Sequence, residues 1–159
     1  MENESIKELI KQGLSALKAG SKVAAAATDE IQNDVQDTQL KDALTQGNET
    51  SKQWVSRIDR ALQEAGGGDE QQNPILEAHY EVSKRIRQQA LDAVSRDLGI
   101  IASGQLALHY WIASFGTLRT YAAQVGLSQT EQELQTSLEE AKQADEQHTQ
   151  IAKQIMSAN

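Results

Sequence analysis

The sequence predicts an all-α fold, a bundle of four long helices with one shorter helix between the second and the fourth. Three observations carry this. Apolar or small residues recur at alternating spacings of three and four, over stretches far longer than a strand. Breakers are confined to short polar segments, with one proline in the whole chain and a triple glycine at Gly66 to Gly68. Aromatics are only 4% of residues while alanine and glutamine abound, which favours helix over a β-sandwich or barrel. A chain of 159 residues fits a single domain spanning 1–159, large enough to bury a core without staples.

In the first helix the seam reads Ile6, Ile10, Gly13, Leu17, Gly20, Ala24, Ala27 and Ile31. Two glycines on it each cost about 1 kcal/mol relative to alanine inside a helix. Close approach by a neighbouring helix or a bulky side chain would offset them. After a polar turn around Asn33 to Asp37, the second helix carries Leu40, Leu44, Gly47, Ser51, Trp54, Ile58 and Ala61. The segment from Gly66 to Asn73 then breaks the pattern, and Asn73 before Pro74 reads as an N-cap with proline in the first turn.

The third helix, from Pro74 to about Val94, is expected to present Ile75, Leu76, His79, Val82, Ile86 and Ala90 to the core. Its Lys84, Arg85 and Arg87 read as a solvated face paired with Glu81 and Asp92, the alternative being an anion site. The fourth runs from about Arg96 to Gln124, with Leu98, Ile101, Gln105, Leu108, Ile112 and Phe115 on one seam and Trp111 beside it. Gly126 suits its C-cap. Ser128 to Glu131 has the pattern of a capping box and opens the last helix, whose seam is Leu134, Leu138, Ala141, Asp145, His148, Ala152 and Ile155.

A net charge of −8 disfavours nucleic acid and anionic membranes as partners. Without cysteine there is no disulfide frame and no thiolate metal site. No apolar run is expected to reach the ~20 residues of a membrane span. The acidic Met1 to Glu4 start lacks the apolar core of a signal peptide, so a cytoplasmic location is expected.

The run from His109 to Gly126, His-Tyr-Trp-Ile-Ala-Ser-Phe-Gly-Thr-Leu at its head, together with Leu138-Glu-Glu-Ala-Lys-Gln-Ala-Asp145, resembles the YciE/YciF family of ferritin-like bacterial stress proteins. Arg96, Asp97 and Gln105 fall where that family places them, and Leu40, Leu44, Glu49 and Arg57 to Asp59 align more loosely. The resemblance implies a ferritin-like bundle, commonly paired into dimers, in proteins linked to stress responses without an agreed activity. A ferritin-like centre needs carboxylates and imidazoles converging from four helices, with Glu and His three residues apart on two of them. This sequence has no Glu-x-x-His. At the family's inward acids stand Gly20, Leu108, Trp111 and Ala141, and at its second-helix His stands Gly47, with Glu49 beside it. Seam spacing alone also places Gly20, Gly47, Leu108 and Ala141 on buried faces. The expectation is a former metal site filled by packing, with Leu108 and Trp111 against Gly20, Gly47 and Ala141.

Residual candidates for a metal or polar site are Glu49, Gln105, His109, Asp145 and His148. Asp145 and His148 have the spacing of a two-ligand face, but a buried hydrogen-bonded pairing of Asp145 with Gln105 is the simpler reading. His109 and His79 read as boundary histidines, and Tyr110 and Tyr121 as packing residues. At most one of Glu139 and Glu140 can face inward. The leading functional expectation is a non-catalytic, metal-free protein with no cofactor, acting as a structural or interaction module and as a homodimer; a protein partner is open. The alternative is a remodelled iron or manganese oxidase or peroxide-handling protein. A third reading is a binder using a pocket left in the former site.

Overall fold

The computed structural model describes residues 2–69 and 71–159. Among these the helices are α1 (Glu2–Gln32), α2 (Thr38–Glu64), α3 (Pro74–Gln89), α4 (Ala93–Gln124) and α5 (Ser128–Ala158). The expected bundle of four long helices with a shorter one between α2 and α4 is therefore what forms.

Side-chain pairings fix the arrangement. Lys18 meets Asp59 across α1 and α2, and Arg57 meets Glu140 across α2 and α5. Gln105 meets Thr149 across α4 and α5, and Gly13 meets Leu118 across α1 and α4. Successive neighbours round the ring α1, α2, α5, α4 are thus antiparallel, which leaves α2 and α4 diagonal and parallel. A parallel pair needs a long return, and α3 supplies it, packing on α4 and α1.

Each junction is held by identifiable groups. Asp37 caps α2 by accepting from Leu40 N at 2.9 Å. The buried carboxylate of Asp97, at the start of α4, accepts from Gln36 N at 3.1 Å and Asp37 N at 2.7 Å, clamping the α1–α2 turn. Asn73 caps α3 through Leu76 N, as its position before Pro74 predicts, and its amide also donates to Ala16 O and Tyr110 Oη. A Cβ on Gly20 would lie 2.6 Å from that amide and 2.8 Å from Leu76 Cδ1. Gly20 therefore makes room for the α2–α3 junction, whereas Gly13 makes room for Leu118 of α4.

Five expectations are corrected. The α3 pattern breaks at Ala90 to Asp92, and Asp92 with Ser95 forms the capping box that starts α4. On α3 the buried residues are Leu76, Ser83 and Arg87, while Ile75 and Val82 are exposed. Arg87 pairs with Glu30 of α1 and with Asp34 in the α1–α2 turn at 3.1 Å each, not with Glu81 or Asp92. Two carboxylates and the Ser83 hydroxyl offset the cost of burying its guanidinium. Ser128 does not cap α5; the Glu64 carboxylate of α2 does, accepting from Gln129 N at 3.1 Å and Thr130 N at 2.6 Å. Finally, α4 is long and apolar enough by length and composition to cross a membrane, because Gln105 and His109 interrupt its apolar run without adding charge. It packs against α1, α3 and α5.

Candidate functional site

The bundle centre has two levels. At the first, Trp111 stacks on Phe115 with ring centroids 5.4 Å apart, and Trp54 crosses from α2 to meet both, at 5.6 and 5.1 Å. Ala141 is fully buried at this level, so the large rings of α2 and α4 face a small residue of α5. Trp54 Nε1 donates to Glu140 Oε2 at 2.8 Å, and Arg57 donates to both Glu140 oxygens at 2.7 and 3.0 Å. Burial pushes the Glu140 carboxyl up, but the bonds from Arg57 and Trp54 together outweigh it and hold the group below the usual range. Both oxygens are thereby committed, and Glu140 is not free to act as a base.

Seven residues along each of three helices the picture changes. Gly47 on α2, Gly104 on α4 and His148 on α5 line a cleft of about 530 Å³ that also reaches Trp54 and Trp111. Ties between α2 and α5 run from Glu64 through Arg60 and Arg57 to Trp54; the cleft mouth lies past Trp54, where Gly47 and Gln147 line it. His148 Nδ1 donates to the Ala144 carbonyl at 2.7 Å. Burial lowers this imidazole's affinity for a proton more than the Ala144 carbonyl and Asp145 raise it, so the ring is neutral and its Nε2 is an acceptor. That Nε2 would sit 3.3 Å from a Cβ on Gly104. From α3, His79 and Tyr80 complete the lining with their rings edge to face at 4.9 Å. His79 Nε2 is buried and has no hydrogen-bond partner. Burial lowers the His79 pKa against the opposing Ser103 carbonyl, and pushes the Tyr80 hydroxyl up to about 12.

These positions correct the expectation of a wholly filled site. Trp111 is buried as expected, but Leu108 is only half-buried and lines the cleft. Gly47 is exposed, and a Cβ there would meet nothing within 4 Å, so no bulky side chain packs on it. Gly20 is filled from α3, not from α4.

Nor do the residual candidates converge. Glu49 is exposed and pairs with Lys52 at 2.7 Å. Gln105 does meet α5 at Asp145, but its amide donates to the Asp145 backbone carbonyl and the Thr149 hydroxyl, at 3.3 and 2.8 Å. The Asp145 carboxylate instead takes exposed His109 Nε2 at 3.1 Å. Asp145 and His148, three residues apart, thus serve different surroundings. Sequence reasoning missed Ser103, Gly104 and the role of His79; the small pair at Ser103 and Gly104, two turns before Trp111, was the available signal.

Residues 5–159 match the family described as a domain of unknown function, DUF892. The chain belongs to this family. It is 44% identical over 57 residues to Protein YciF of Escherichia coli K12, a match covering 36% of this chain and about a third (34%) of that protein. The solved structure of the E. coli stress protein YciF superposes with a TM-score of 0.92 at 24% identity, covering 97% of this chain and 98% of that one. YcfI of Rhodopseudomonas palustris gives 0.87 at 22% identity, covering 91% and 92%. Together these make the fold that of the ferritin-like YciE/YciF-type stress proteins.

A ferritin-like metal pair does not fit the residues present. The positions that the family resemblance assigns to acids carry Gly20, Leu108, Trp111 and Ala141, and the one it assigns to the second-helix His carries Gly47. Among the described residues no three His, Asp or Glu side chains come together in a way that could hold a metal ion.

Proposed function

We propose that this protein is a metal-free, non-catalytic member of its family, working in the cytoplasm as a structural or interaction module and as a homodimer. The observation that carries the reading is the chemistry at the bundle centre. Hydrocarbon, aromatic and glycine residues stand where acids and an imidazole would be needed, and the nearest inward carboxylate, Glu140, is locked by Arg57 and Trp54.

Support for self-association comes from the outer surface of the α3–α4 pair. Ile75, Val82 and Leu106 are 67%, 50% and 66% exposed there. From Leu98 to Leu118, α4 carries no Asp, Glu, Lys or Arg. On a chain of net charge −8, an uncharged apolar face is where two copies can meet with least repulsion. The same negative charge works against nucleic acid and anionic membranes as partners.

Two measurements test this. Sedimentation should give a dimer that Leu106→Glu converts to a folded monomer; a monomeric parent refutes the dimer. Ferrous-iron oxidation and peroxide consumption should run at the buffer rate. Turnover that is lost in His148→Ala would instead establish the iron or manganese oxidase reading.

A further inference from the structure

We propose that the cleft between Gly47, Gly104 and His148 is a binding site for a neutral, planar aromatic compound carrying a hydroxyl group. This rests on the metal-free reading, since a metal would compete for the same imidazoles. The volume of about 530 Å³ lies within the range of small-molecule sites. Two buried indole rings, Trp54 and Trp111, packed on each other, line its inner end with aromatic surface.

The polar groups select the ligand further. His148 Nε2 is an acceptor, because its Nδ1–H is spent on the Ala144 carbonyl. The His79 ring lines the same cleft, and its Nε2 is buried without a partner, a state that costs about 1–3 kcal/mol. A hydroxyl can donate to an acceptor nitrogen or accept from an N–H, so it suits either tautomer of His79. No Lys or Arg lines the cleft, and Glu140, its charged residue, already has both oxygens paired. An anion would therefore find no counter-charge there. A ligand without a hydrogen-bond donor would leave the His148 Nε2 acceptor unpaired.

The probes are 2-naphthol, naphthalene and 2-naphthoate, titrated by calorimetry into full-length protein whose metal content is measured on the same sample. The expected result is saturable binding of one 2-naphthol per chain, at least about tenfold tighter than naphthalene, the worth of one hydrogen bond, and no binding of 2-naphthoate. Imidazole nitrogen resonances of His79 and His148 should shift on addition. Gly47→Phe, which adds bulk at the open mouth, should keep or raise the unfolding temperature and weaken 2-naphthol at least about tenfold. Absence of saturable 2-naphthol binding to metal-free protein, equal affinity for naphthalene, or unchanged binding in Gly47→Phe each overturns the proposal. Stoichiometric metal in the sample would instead overturn the metal-free reading beneath it.

Discussion

Along α2, α4 and α5 the residues Trp54, Trp111 and Ala141 define one level of the bundle, and Gly47, Gly104 and His148 define another, seven residues or about 10 Å away by helix rise. The first level is closed by interlocking rings; the second is open to a cleft of about 530 Å³. The buried apolar residues divide in the same way. One cluster surrounds Trp54, Trp111 and Phe115, and a second surrounds Ile31, Leu40, Ile100 and Ile151 at the far end. A bundle centre without converging carboxylates therefore has two physical outcomes within one molecule. Around Trp54, Trp111 and Phe115 the rings close the centre by packing. Around Gly47, Gly104 and His148 the helices keep a cavity with a largely uncharged lining.

The widest gap between the two levels should appear in stability. Phe115→Ala removes a fully buried ring from the closed level and should cost about 3–5 kcal/mol in urea unfolding. Leu108→Ala trims a half-buried wall of the cleft and should cost about 1 kcal/mol. Equal losses would erase the distinction.

A second contrast is in pH dependence. His148 and His79 have lowered pKa values through burial, so the unfolded chain binds more protons than the folded one as pH falls through about 6.5. Stability should then decline between pH 7 and 5, and decline less in His148→Gln. The Glu140 tie at the closed level has the same sign but a different window: a carboxyl held low stabilises the fold above about 4.3 and loses that contribution only below it. A flat stability profile between pH 7 and 5 would contradict the neutral, buried state of the imidazoles.

The smallest effect concerns glycine. Gly47→Ala meets open space and should stabilise the protein by about 0.5–1 kcal/mol, whereas Gly20→Ala must displace Asn73 and Leu76 and should destabilise it. The unfolding temperatures of the two variants should therefore move in opposite directions.

The difference between these two glycines also shows where sequence reading ran out. Both lie mid-seam at spacings that indicate burial, and only the third dimension distinguishes Gly20, pressed by Asn73, from Gly47 at an open mouth. The helices themselves were legible because a period of three and four, interrupted by Asn73-Pro74 and Gly126, is a local signal. Partners distant in sequence were not. Ser128 to Glu131 has the local form of a capping box, yet Glu64, more than sixty positions away, makes the cap. Apolar periodicity likewise assigned α3 an inward face with Ile75 and Val82, and could not register that Asp34 and Glu30 draw Arg87 inside. Family resemblance drew attention to Gly20, Gly47, Leu108, Trp111 and Ala141, but whether each is packed or left open depends on neighbours from other helices.

The most direct test of the central claim is the metal content of the protein purified without chelator and assayed by elemental analysis. Iron and manganese together should remain far below one atom per chain. One or two atoms per chain, retained through gel filtration, would contradict the account.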